Sequence, residues 1–181
     1  MKKFRLNSDD SILLVIDLQE KLMKAMDQSE KVYRYTSLLL ETAKQLQIPV
    51  IVSEQYPRGL GSTVEQIYKH LPEHQLIEKT TFSCGEPLLS KITDFNRNTV
   101  IVTGSETHVC VFQTVIDLLD KGYTVHVVRN AVCSRFKEDY QNGLELMKEA
   151  GAIITNAETV VFDLLKQAGT PDFKAISPLI K

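Results

Sequence analysis

The sequence has 181 residues, 43% hydrophobic and 24% charged, with a formal net charge of −2. That balance supports a buried core in a single domain spanning 1–181, and it offers no basic footprint for nucleic acid and no cationic patch for a membrane. Cys84, Cys110 and Cys133 stand far apart in no CxxC or Cys/His spacing, so they point to reduced thiols in a cytoplasmic setting, and to neither a disulfide framework nor a zinc knuckle.

The first residues are basic but meet Asn7, Ser8, Asp9 and Asp10 where a secretory leader would turn apolar, so no leader and no membrane span is expected. Residues 12–16 form a continuous apolar run that ends at Asp17, the pattern of a strand covered on both faces. Residues 30–47 carry Val32, Tyr35, Leu38, Leu39, Thr42, Ala43 and Leu46 at intervals of three and four, which predicts an amphipathic helix. A second strand is expected over residues 49–52, followed by Ser53, Glu54, Gln55 and Tyr56. Residues 53–62, with Pro57, Gly59 and Gly61, read as an irregular stretch of the kind that borders a site.

After Glu78, Lys79, Thr80, Thr81 and Phe82, a third strand is expected over residues 99–102, and it runs out into Gly104, Ser105, Glu106 and Thr107. Residues 109–121 and 137–150 have helical spacing, each followed by a glycine suited to a C-cap (Gly122, Gly151), and strands are expected at 124–128 and 152–154. The apolar tail, residues 173–180, suits an interface or the closing of a core. Alternating strands and helices predict an α/β fold: a Rossmann-like three-layer sandwich, with helices on both faces of a parallel sheet.

Ligands of such sheets bind beyond the carboxyl ends of the strands, where Asp17, Lys79 and the residues before Cys110 should converge. Taken singly, Asp17 reads equally as a helix N-cap, Cys110 as an inert buried thiol and Lys79 as a solvated cation. Together they make an assembly for acyl transfer: a thiol whose pKa a helix start would lower, a carboxylate to take its proton, and an ammonium that favours both anions. Amides at the helix start could then hold an oxyanion.

Three segments, residues 14–19, 78–83 and 102–111, resemble the isochorismatase-like cysteine hydrolase superfamily in order and spacing, and the similarity runs over roughly residues 11–161. Gly104, Thr107, Cys110 and Val111 carry its most specific part. The resemblance implies Cys110 as nucleophile, Asp17 as the acid–base carboxylate and Lys79 as the third member. It also implies a cis peptide between Ser105 and Glu106, with the N–H groups of Glu106 and Cys110 forming an oxyanion hole. Nicotinamidases of the superfamily bind a metal after the second strand through histidines. Here that segment has none, so no metal and no other cofactor is expected.

True isochorismatases commonly lack the cysteine, so Cys110 favours hydrolysis of an amide or related acyl compound through a thioester. The loop over residues 53–61 resembles that of isochorismatase domain-containing proteins, with Gln55, Tyr56 and Phe82 as candidates to touch a small-molecule substrate. A homo-oligomer is implied as well. The competing expectations are a non-catalytic binding protein that keeps the fold, and isochorismatase- or nicotinamidase-type activity. His108, two residues before Cys110, invites a cysteine–histidine dyad, but the resemblance assigns the base to the carboxylate. Cys84 and Cys133 read as bystanders.

Overall fold

In the computed structural model, which describes residues 2–180, the apolar run after Asp10 forms strand β1, Ser11–Ile16, buried at every position. Its side chains alternate between two cores. Leu13 and Val15 pack on one face of the sheet, and Ile12, Leu14 and Ile16 on the other, as the two-residue period of a strand requires. The remaining strands are β2 (Val50–Gln55), β3 (His74–Lys79), β4 (Thr99–Ser105), β5 (Thr124–Cys133) and β6 (Ile153–Thr155). They form one sheet of order β3-β2-β1-β4-β5-β6, with every pairing parallel.

The helices in chain order are α1 (Glu20–Met23), α2 (Ser29–Gln45), α3 (Pro57–Leu60), α4 (Glu65–Tyr68), α5 (Gly85–Phe95), α6 (Phe112–Asp120), α7 (Lys137–Glu149), α8 (Ala157–Leu165) and α9 (Pro171–Ile176). α2, α8 and α9 cover one face, and α5, α6 and α7 the other. This is the doubly wound three-layer sandwich expected from the alternation of elements. The tail closes the first core: Ile176 is buried in it, and Phe173 and Ile180 pack against it. Gly122 and Gly151 both have positive φ, 86° and 112°, as C-cap glycines do.

Several elements depart from the sequence expectation: α5 and α8 have no counterpart in it, and the stretch read as irregular holds the end of β2 and the short helix α3. β3 lies at the sheet edge, where Ile77 and Lys79 are buried while Leu76 and Glu78 face solvent. Its apolar content is too low for a run to show. The helix expected from residue 109 begins instead as a π-helical turn, Thr107–Val111, before α6 takes over.

The strand order reverses between β1 and β4, because the chain leaves β1 toward one edge and returns to β4 on its other side. Such a reversal opens a crevice at the carboxyl ends of the strands. β1 and β4 approach closely there, since a Cβ on Gly104 would stand 2.1 Å from the Ile16 carbonyl oxygen.

Candidate active site

Asp17 follows β1 at that reversal, with left-handed backbone (φ 50°) and its N–H donating to the Ser53 carbonyl at 3.1 Å. Its buried carboxylate is held from both sides. Lys79 Nζ donates to Oδ2 at 2.6 Å, and Ser53 Oγ donates to Oδ1 at 2.6 Å. The N-cap alternative for Asp17 does not apply, since α1 starts after Gln19.

Lys79 ends the edge strand with its side chain folded inward. Besides Asp17, its Nζ donates to Gln55 Oε1 at 2.8 Å, to the Phe82 carbonyl at 2.9 Å and to the Thr81 carbonyl at 3.3 Å. An ammonium has three protons, so these acceptors use all of them. Lys79 therefore acts on its surroundings through charge, with no proton left over for a ligand.

Cys110 sits on the π-helical turn across the β1–β4 boundary, 5% exposed, within reach of the charges of both Asp17 and Lys79. Single π turns occur often at functional sites. Burial, followed by the negative charge of Asp17, pushes the thiol pKa up to about 12, while Lys79 pulls it down. The lowered thiol expected of a helix start is corrected on this point: desolvation and the charge of Asp17 outweigh the ammonium.

The turn is braced from behind. Arg135 donates from its backbone N and its Nε to Glu106 Oε2 at 3.2 and 3.1 Å. His108 Nδ1 lies 3.0 Å from Ser134 Oγ and its Nε2 3.8 Å from Asp139, so the ring is engaged with Ser134 and α7, away from the Asp17–Lys79 pair. α7 packs against the turn through Gly143, where a Cβ would meet His108 Cα and N and the Thr107 oxygen at 3.0 Å each. The Ser105–Glu106 peptide is cis, as the resemblance implies.

The three expected substrate contacts fall into different settings. Gln55 has its amide engaged, with Oε1 accepting from Lys79 and Nε2 donating to the Thr80 carbonyl at 2.8 Å. Tyr56 and Phe82 present their rings at the rim, 55% and 54% exposed. Gln19 pins the loop between them: its Nε2 donates to the Gln55 and Gly61 carbonyls at 3.0 and 2.7 Å, and its Oε1 accepts from the Gln55 N–H at 2.7 Å. Glu54 adds a second clamp, accepting from Thr63 N and Oγ1 at 2.6 and 2.7 Å.

Two neighbours of the cluster escaped the sequence reading. Ser53 orients the carboxylate, and its place directly after the second apolar run was the available signal. Cys84, read as a bystander, is fully buried with its N–H donating to Thr114 Oγ1 at 3.1 Å, burial raising its thiol pKa and Lys79 lowering it. Nothing in the sequence brings it there except its nearness to Lys79. Among the described residues, no group of three or more His, Cys, Asp or Glu is placed to hold a metal ion.

A parallel sheet with a single reversal, and a buried thiol, carboxylate and ammonium gathered at that point, define a Rossmann-like α/β protein with a polar site at its switch point. The chain belongs to the isochorismatase family, whose domain matches residues 11–159, and it has the hydrolase fold of that family. It is 42% identical to the secreted isochorismatase effector Isc1 of Phytophthora sojae, over 98% of this chain and 87% of that protein. Isochorismatase domain-containing protein 2 of Xenopus laevis is 36% identical over 97% of this chain and 86% of its own. The solved MAR1 ribonuclease of Caenorhabditis elegans superposes with a TM-score of 0.93 at 40% identity, covering 97% of this chain and 92% of that one. No helix among the described residues is long and apolar enough to cross a membrane.

Proposed function

We propose that this chain is a metal-independent cysteine hydrolase of small amides or related acyl compounds, acting through a thioester on Cys110. The observation that carries this reading is a carboxylate that a buried ammonium holds at 2.6 Å at the switch point of the sheet, with the buried Cys110 thiol in the field of both charges. A thiol with a pKa of about 12 is neutral at rest, so the thiolate forms only as the substrate is attacked. The proton passes from Sγ to Asp17 while the S–C bond forms. Thiol plus carboxylate becomes thiolate plus carboxylic acid beside the same Lys79 charge, so the transfer leaves the net charge of the buried cluster unchanged.

The carbonyl oxygen, now negative, is stabilised by the N–H groups of Glu106 and Cys110. Asp17 then returns its proton to the leaving nitrogen as the C–N bond breaks. In the second half, Asp17 takes a proton from water, the hydroxide oxygen bonds to the acyl carbon, and the thiol leaves with its proton restored. Tyr56 and Phe82 supply apolar walls at the mouth, while Gln55 acts on the substrate through Lys79.

The test is a panel of small amides and esters, with RNA included, run on wild type and Cys110→Ala in parallel. Turnover that disappears with Cys110, together with an acyl adduct in the intact mass of wild type, is the expected result. Turnover independent of Cys110, or a chain inert toward the panel and without an adduct, overturns the reading. The net charge of −2 favours small neutral substrates over the RNA arm.

A further inference from the structure

A second concavity lies beyond the carboxyl end of β5, outside the Asp17–Lys79–Cys110 cluster. It holds about 280 Å³ and is lined by Lys31, Arg129, Cys133, Ser134, Lys137 and Tyr140. Three cations thus face one small pocket. Asp27 is the only carboxylate that lines it, and Gln28 Nε2 donates to that carboxylate at 3.2 Å. Among the described residues, neither Lys31, Arg129 nor Lys137 takes part in an ion pair. Glu30, Glu138 and Asp139 stand in the first turns of α2 and α7 but do not line the pocket.

The placement of the lysines runs against ordinary helix electrostatics. Lys31 lies in the first turn of α2 and Lys137 opens α7, and neither helix has a side-chain cap. Cations at a helix start oppose the positive end of the dipole. Arg129 on β5 adds a third like charge, and its carbonyl is already used by the Tyr140 hydroxyl at 2.6 Å. The floor is Cys133, 2% exposed, whose thiol burial and the charges of Glu106 and Asp27 keep protonated. The pocket offers donors and three positive charges against the single carboxylate of Asp27 in its lining.

We infer that this pocket binds a compact dianion, a phosphate group or a small dicarboxylate, between Lys31, Arg129 and Lys137. Its volume accommodates such a group with a short remainder. Bound there, the anion would touch Ser134, whose neighbour Arg135 braces the Glu106 carboxylate and whose hydroxyl meets His108. The inference does not depend on the chemistry proposed for Cys110.

The experiment is thermal unfolding of the full chain with inorganic phosphate, with malonate and with chloride at matched ionic strength. Phosphate or malonate should raise the melting midpoint where chloride does not. Lys31→Gln and Lys137→Gln should each weaken the apparent affinity about tenfold, the loss of one charge-assisted contact. Lys148→Gln, at the other end of α7, should leave it unchanged. Without added anion, the two neutralising variants should melt higher than wild type at low salt, because like charges no longer crowd the pocket. The larger of the phosphate and malonate shifts identifies the source of the dianion. No shift with either anion, or a shift that survives unchanged in Lys31→Gln and Lys137→Gln, overturns the inference.

Discussion

Replacing Asp17 by Asn keeps the shape of the side chain and removes the carboxylate charge that pairs with the Lys79 ammonium. At 2.6 Å the attraction is about 6 kcal/mol for an effective dielectric of ~20. Desolvation costs several kcal/mol for each ion, so the pair contributes little net stability, yet a buried charge left alone is expensive, about 3–5 kcal/mol. The remaining acceptors of Lys79, an amide and two carbonyls, are neutral and cannot replace the carboxylate. Asp17→Asn should therefore destabilise the chain by about 3–5 kcal/mol, and Asp17→Asn with Lys79→Met should recover most of that loss. Turnover should fall by roughly 10²–10⁴-fold in the single variant, the contribution typical of a general base, and stay lost in the double. Denaturant unfolding at neutral pH reads the first two quantities. A single variant within about 1 kcal/mol of wild type, or a double variant no more stable than the single, refutes the account of Lys79 as a buried charge that depends on Asp17.

Three further outcomes are expected. Cys133 has a folded pKa of about 12 against a reference of 9.0, so the folded state keeps a proton that the unfolded chain gives up. That preference is fully present below the unfolded value and is lost as pH rises from about 9 toward 12, at about 1.4 kcal/mol per pH unit. Cys133→Ala should flatten the fall in stability across that window, and an unchanged alkaline slope in pH-dependent denaturation contradicts it. Gly143→Ala drives a methyl to 3.0 Å from the backbone of the Thr107–Val111 turn that carries Cys110. It should cost about 1–3 kcal/mol and alter the rate at which a mild alkylating agent modifies Cys110; a neutral effect on both would mean that α7 yields freely. Gln55→Leu should lower kcat with little change in KM if Gln55 serves Lys79, whereas a rise in KM alone marks the direct substrate contact expected from its loop position.

Much of the architecture was legible because its signals are local. The apolar runs of β1 and β4 could only be strands covered on both faces, and the three- and four-residue spacing of Val32 through Leu46 could only bury one side of a helix. Asp17, at the end of such a run, was thereby placed on the carboxyl rim without any knowledge of its neighbours. β3 was not legible, because an edge strand buries few side chains and His74–Lys79 carries three of its six residues as ionisable groups.

The sequence by itself determined the layered fold and the carboxyl rim of the sheet, and its family resemblance put Asp17, Lys79 and Cys110 forward as a group. Tertiary structure alone decided what surrounds those residues. Ser53 and Cys84 reach the cluster only because β2 and the start of α5 pack around it. Gln55 accepts from Lys79 because the register of β2 against β3 pairs the two residues. The Cys110 thiol, which a helix start would have lowered, is raised because folding removes it from water and sets a carboxylate beside it. Periodicity is written along the chain, whereas desolvation and charge pairing depend on which distant segments meet.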